Sequence, residues 1–145
     1  MLSEFSLLIL RESIHVLMFD RKLRRRGKEM SQHKIYSMSF AKVYPCYVNK
    51  IQKKKRTVAE LHQVIAWLTG YDDDQLQQQL MSDASVQVFF QTAPSLNKNR
   101  RLIKGTICGV RVEDIEEPIM QEIRYLDKLV DELAKGKDML VILRS

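Results

Sequence analysis

Apolar residues recur at helical spacing through most of the chain, and most regularly near its C-terminal end. The clearest run is residues 118–137, PIMQEIRYLDKLVDELAKGK. Its apolar residues follow one another at steps of four, three, four and three: Ile119, Ile123, Leu126, Val130 and Leu133. That spacing makes one face of an α-helix apolar. Pro118 suits the first turn and Gly136 suits the end of such a helix. We predict a long core helix here, against which the rest of the chain packs.

A second amphipathic run lies between Phe40 and Ile51. Ser39 precedes it and is a candidate N-cap, because its hydroxyl can accept a hydrogen bond from the first turn. Pro45 interrupts the run, so this helix either kinks there or starts there.

Local signals mark the ends of the helices that follow. Thr57 and Glu60 have the spacing of a capping box and open a helix that Gly70 ends. Asp72 then caps a short polar helix, and residues 83–91 form another. This stretch of the chain is therefore helical throughout, with short connections.

Residues 97–114 give weaker signals. Asn97 is a candidate cap for a turn of helix ending at Gly105, and residues 106–112 are either a short buried strand or an extended linker. We expect the apolar tail MLVIL, residues 139–143, to fold back onto the core. The predicted fold is mainly α: a compact single-domain bundle of about five or six helices, with one short strand or extended segment near residues 106–112.

The composition is that of a globular protein in a reducing compartment. The chain has 145 residues, of which 45% are hydrophobic and 29% charged, which fits one domain with a real core. Two cysteines, Cys46 and Cys108, do not make a disulfide framework, and we interpret both as small core residues. The expected location is the cytoplasm.

Residues 1–30 differ from the rest of the chain. Their apolar runs are interrupted by charges and followed by DRKLRRRGK, which fits neither a secretory signal nor a transmembrane helix. Three interpretations remain: a biological start at Met30, a membrane-surface amphipathic helix, or an additional helix or tail. We expect residues 1–30 to be an N-terminal extension and residues 31–145 to be the folded domain.

Three stretches of this sequence resemble one bacterial family. They are KIYSMSFAKVYPCYVNKIQKKKRT, WLTGYD and CGVRVEDIEEPIMQEIRYLDKLVDELAKGK. They are similar to the family catalogued as domain of unknown function 2200, over about residues 32–144. The resemblance implies a small, mainly helical cytoplasmic protein and places residues 1–30 outside the usual extent of the family. It implies no activity, cofactor or catalytic residue.

The sequence lacks the common patterns of catalysis and cofactor binding. His15, His33 and His62 are far apart, and no CxxC or HExxH is present, so we predict no metal site. Cys46 or Cys108 paired with His62 is a formal nucleophile pair, but inert buried thiols are the simpler interpretation. Neither GxxxxGK[ST] nor GxGxxG occurs, and we predict no cofactor.

Charge gives weak support for a nucleic-acid partner. The net charge is +6, but residues 1–30 contain seven Lys/Arg against four Asp/Glu and so carry half of it. The helix after WLTGY begins with Asp72, Asp73 and Asp74, which disfavours it as a recognition helix. Another basic surface would combine two clusters if folding joined them: Lys53, Lys54, Lys55, Arg56, Lys98, Arg100, Arg101 and Lys104. Tyr36, Tyr44 and Tyr47 are candidate stacking residues for single strands.

These observations favour a non-enzymatic binding or interaction module with an unknown partner. One alternative is an enzyme acting on a small anionic substrate, and another is weak nucleic-acid binding through the basic clusters. The candidate ligand-binding residues are the polar ones nearest the most specific motif: Arg111, Arg124, Tyr125 and Asp127. A homodimer formed through the apolar face of the long helix is a further interpretation.

Overall fold

The computed structural model describes residues 33–145, so the predicted extension of residues 1–30 and the start at Met30 lie outside the described part of the chain. Residues 33–145 form seven α-helices, two short 3-10 helices and one antiparallel hairpin. The α-helices are α1 Lys34–Ser37, α2 Phe40–Gln52, α3 Val58–Thr69, α4 Asp73–Met81, α5 Val86–Gln91, α6 Pro118–Ala134 and α7 Met139–Ile142. The hairpin strands are β1 Thr106–Ile107 and β2 Val110–Arg111, and the 3-10 helices are Lys98–Leu102 and Val112–Asp114. The prediction of a mainly α fold is confirmed.

Helix α6 is the centre of the fold. It contacts α2, α3, α5 and α7, together with β1 and the second 3-10 helix. Eleven of its 17 residues are buried, including Leu126, Leu129 and Leu133 at 0% exposure. The predicted apolar face is therefore covered by the chain's own elements, and this includes the face considered as a dimer seam.

Helix α2 runs through Pro45 without a break. Ser39 occupies the N-cap position, but its side chain accepts no capping hydrogen bond. The start of α2 is held instead by the segment before α5: Ser39 pairs with Ser85 in an isolated antiparallel bridge, and the Phe40 N–H donates to the Ala84 carbonyl at 2.9 Å. Ser39 holds the predicted N-cap position, but its hydroxyl does not cap the helix, and the Lys42 N–H of the first turn donates to the Ser39 carbonyl at 3.0 Å.

The ends of α3 and α4 follow their local signals. The Glu60 N–H donates to the Thr57 hydroxyl at 3.2 Å, and the Thr57 N–H donates to the Glu60 carboxylate at 3.0 Å. Gly70 ends α3 in the left-handed conformation, with φ of 81°. Asp72 and Gln75 form a second capping box at the start of α4. The predicted boundaries are confirmed here because each depends on neighbours within four residues.

The segment before α6 contains the only strands of the described residues. Asn97 caps the first 3-10 helix by accepting a hydrogen bond from the Asn99 N–H at 2.8 Å. Cys108 and Gly109 form the tight turn between β1 and β2, with φ of 55° and 79°. Two left-handed residues in succession match the twist of a two-residue hairpin. The extended segment predicted near residues 106–112 is thus a short hairpin.

The apolar tail folds back as predicted. Helix α7 contacts α6, and Ile142 is fully buried. Arg144 ties this tail to α6 by donating to the Glu132 carboxylate at 2.7 Å. No helix within residues 33–145 has both the length and the apolar character needed to cross a membrane.

Candidate functional site

The structure brings together two of the four predicted ligand-binding residues. Arg124 and Asp127 lie one turn apart on α6, and Arg124 Nη1 donates to Asp127 Oδ2 at 2.9 Å. Tyr125 is buried, whereas Arg111 is an exposed residue of β2 whose guanidinium lies 3.9 Å from the Asp114 carboxylate. The predicted set therefore does not form one site around a shared space.

Tyr47 of α2 completes the polar cluster around Asp127. Its phenol donates to Asp127 Oδ1 at 2.7 Å, so each carboxylate oxygen accepts one hydrogen bond from the protein. Burial, followed by the negative charge of Asp127, raises the pKa of Tyr47 well above its usual value. The phenol therefore stays protonated and acts as a hydrogen-bond donor. The Tyr47–Asp127–Arg124 cluster joins α2 to α6 within the core.

Both thiols are poor nucleophiles at neutral pH. Burial raises the pKa of Cys46 to about 11. Burial also raises the pKa of Cys108, and the nearby charges of Arg124 and Asp127 act on it in opposite directions. A thiol must lose its proton to attack a carbon or bind a metal. Neither cysteine is therefore activated for covalent chemistry.

The two predicted basic clusters lie at different ends of α6. Lys53, Lys54 and Lys55 are exposed, while Arg56 binds the Glu60 carboxylate and donates to the Lys137 carbonyl at 2.9 Å. In the other cluster, Arg100 Nε donates to the Glu122 carboxylate at 2.9 Å. Glu122 lies near the start of α6 and Lys137 follows its end, and positions 122 and 134 of this helix are about 18 Å apart at 1.5 Å per residue. The clusters do not merge into one continuous surface.

The three candidate stacking tyrosines are held by hydrogen bonds. The Tyr36 phenol donates to Glu117 at 2.6 Å, and the Tyr44 phenol lies 2.5 Å from His62 Nε2. Tyr47 is bound to Asp127 as described. Their rings lie between helices, and they are partly or fully buried. Within residues 33–145, no three His, Cys, Asp or Glu side chains converge in a way that could hold a metal ion.

A groove of about 560 Å³ lies at the C-terminal end of α3. Its lining is formed by one face of that helix and by the segment that leads into the first 3-10 helix: Ala66, Trp67, Gly70, Ser95, Leu96, Asn97, Lys98 and Asn99. Trp67 is the only tryptophan in the chain. None of the four predicted ligand-binding residues lines this groove.

Backbone contacts fix the shape of the groove. The Ser95 N–H donates to the Thr69 carbonyl and the Asn97 N–H donates to the Leu68 carbonyl, each at 3.0 Å. Gly70 is required at the closest approach, because a Cβ there would lie 2.8 Å from the Ser95 nitrogen. The carbonyls at the end of α3 are thereby satisfied by the segment that forms the opposite wall.

The walls of the groove differ in chemistry. The α3 wall presents the Trp67 indole, whereas the opposite segment presents the polar groups of Asn97, Lys98 and Asn99 together with Leu96. The sequence predicts WLTGYD as a family motif and Asn97 as a cap, but no local pattern predicts that the two lie together. The pairing of Ser95 with Thr69 joins residues 26 positions apart, and no local pattern indicates it.

Two comparisons find similar proteins. A family model described as "Uncharacterized protein conserved in bacteria (DUF2200)" matches residues 34–144. A solved structure, titled "Crystal structure of uncharacterized protein SP1917", is similar in fold, with a TM-score of 0.73 and 46% sequence identity. The match covers 80% of this chain and 94% of that one. A comparison with curated proteins finds no match.

Proposed function

This chain belongs to the bacterial family of domain of unknown function 2200, and we propose that it is a non-enzymatic binding module whose ligand lies in the groove beside Trp67. The observation that supports this is the groove itself: about 560 Å³, with an indole on one wall and three polar side chains on the other. Ligand sites are usually preformed concave surfaces that combine apolar lining with a few polar groups. A cytoplasmic location is part of the same proposal.

The polar cluster on α6 is better suited to a structural role. Asp127 already accepts hydrogen bonds from Tyr47 and Arg124, and Arg124 is only 1% exposed. A substrate anion would have to displace the partly buried Asp127 carboxylate to reach the buried Arg124 guanidinium. This weighs against the alternative of an enzyme that uses Arg124 on an anionic substrate.

The probe for the groove is 8-anilinonaphthalene-1-sulfonate, an aromatic anion. Since Trp67 is the only tryptophan, its indole N–H gives one resonance in a ¹⁵N-correlated NMR spectrum. Titration with the probe should shift that resonance in a saturable way. A probe that binds while the indole resonance stays fixed would contradict the proposal.

Two alanines on α3 provide a matched pair of variants. Ala66 lines the groove, whereas Ala59 is exposed on the same helix outside it. Leu is a good helix former, so Ala→Leu is tolerated on an exposed helical surface. Ala66→Leu should fill the groove and weaken probe binding at least about tenfold, a loss of about 1.4 kcal/mol. Ala59→Leu should bind like the parent chain, and equal binding by both variants would contradict the proposal.

A further inference from the structure

The apolar wall of the groove suits a flat ring. Trp67 is half-buried and lines the groove on the α3 side. Stacking of a base on an aromatic side chain contributes about 1–3 kcal/mol and tolerates any base. The three tyrosines considered for this role are engaged elsewhere, so Trp67 is the available aromatic surface on this side of the protein.

The opposite wall is cationic. Residues 95–104 contain Lys98, Arg100, Arg101 and Lys104 and no acidic residue. Arg100 is occupied by Glu122 and Arg101 hydrogen-bonds the Tyr125 phenol, whereas Lys98 is exposed and lines the groove. Lys98 is therefore the cation best placed to meet a phosphate group.

Two amides complete the polar wall. Asn97 Oδ1 accepts the Asn99 N–H at 2.8 Å, which fixes the orientation of the Asn97 side chain. Asn99 also lines the groove. Side-chain amides combine donors and acceptors and can match the edge of an exposed base.

From this combination of an indole, two amides and a lysine, we propose that the groove binds a nucleotide, free or as part of a single strand. This inference rests on the proposed function, since it names the ligand class of the same groove. A duplex does not fit, because its stacked and paired bases cannot reach the indole. Binding of one phosphate by Lys98 contributes about −0.7 to the salt slope of single-strand binding.

The experiment uses the quenching of Trp67 fluorescence by four probes at low and moderate salt. They are uridine monophosphate, ribose 5-phosphate, a single-stranded oligouridine and a duplex of the same length. We expect the mononucleotide to quench Trp67 fluorescence. The single strand should quench it at lower concentration and in a salt-dependent way, whereas the duplex should not quench it. If ribose 5-phosphate binds as well as uridine monophosphate, the base is not recognised and the inference is wrong. If neither nucleotide probe quenches at low salt, it is also wrong.

Two lysines give the matched variants. Lys98 lines the groove, whereas Lys53 is exposed in the other basic cluster. Lys98→Gln should weaken single-strand binding about fivefold and reduce the salt slope by about 0.7. Lys53→Gln should leave both unchanged, and equal effects of the two variants would indicate attraction to net charge alone. If 8-anilinonaphthalene-1-sulfonate binds and Ala66→Leu weakens that binding, but no nucleotide binds, the nucleotide inference is wrong and the proposed ligand groove stands.

Discussion

The Tyr47–Asp127–Arg124 cluster allows a quantitative test of what joins α2 to α6. Asp127 accepts hydrogen bonds from Tyr47 at 2.7 Å and from Arg124 at 2.9 Å, and Arg124 is 1% exposed. The perturbations are Tyr47→Phe, Asp127→Ala and the double variant. Each single variant removes the same phenol–carboxylate hydrogen bond, so their effects should not be additive.

The magnitudes follow from burial and charge. A hydrogen bond to a charged group contributes about 1.5–3 kcal/mol, so Tyr47→Phe should cost about 2 kcal/mol. Removing one partner of a buried ion pair costs about 3–5 kcal/mol, and the partial exposure of Asp127 favours the lower value of about 3. The double variant should cost about 3 rather than 5 kcal/mol, a coupling energy of about 2 kcal/mol.

The assay is equilibrium urea unfolding followed by circular dichroism, which gives the free energy of unfolding of each variant. Tyr44→Phe is the matched control, because Tyr44 lies on the same helix and its phenol contacts His62 rather than Asp127. That variant should cost about 1 kcal/mol and show no coupling with Asp127→Ala. If Asp127→Ala does not fold, Asp127→Leu replaces it, because leucine also lacks an acceptor for the Tyr47 phenol. Additive costs for Tyr47→Phe and the Asp127 variant would refute the shared hydrogen bond.

Two further predictions concern a thiol and a glycine. Because burial raises the pKa of Cys46 to about 11, its alkylation by iodoacetamide in a Cys108→Ser background should be slow at about pH 8 and accelerate towards pH 11. Because the pKa of this thiol is higher in the folded than in the unfolded chain, its protonation stabilises the folded state. This contribution to the free energy of unfolding is complete below the unfolded pKa of about 8.5 and is lost as the pH rises through the folded pKa. Fast alkylation of the native protein at pH 8 would contradict the raised pKa of Cys46. A free energy of unfolding that stays constant between pH 8 and pH 11 would contradict the loss of stability. Gly70→Ala should destabilise the chain more than Gly136→Ala in thermal unfolding: both positions have positive φ, but only at Gly70 would the new Cβ meet Ser95, at 2.8 Å. Equal losses would show that the close approach is not rigid.

The parts of the fold that sequence reasoning predicts correctly are those set by near neighbours. The capping box at Thr57, the left-handed stop at Gly70 and the long apolar face of α6 all depend on residues within a few positions. The start of α2 is different, because the Phe40 N–H is satisfied by the Ala84 carbonyl, 44 positions away. A hydroxyl at position 39 indicates that a side-chain cap is available, but it does not indicate that the Ala84 carbonyl holds the first N–H of the helix.

The candidate site was less predictable for the same reason. Sequence proximity to the most specific motif selected Arg124 and Asp127, and these residues do meet, but with Tyr47, 80 positions away from Asp127, as the third member. The groove depends on the contact between Thr69 and Ser95. A lone half-buried tryptophan one turn before a helix-ending glycine was the available signal for it. This signal predicts a groove only when the segment that lies opposite Trp67 is known.

The central position of α6 has a consequence for how the protein is made. Helices α2, α3 and α5 pack against α6, yet α6 follows them all in the chain. At about 5–20 residues per second, a ribosome needs several seconds to proceed from α2 to the end of α6. During that interval the apolar faces of the earlier helices have no completed core to cover them. Folding of this chain should therefore finish late in synthesis. A chaperone would bind the exposed apolar faces of the earlier helices before α6 is complete.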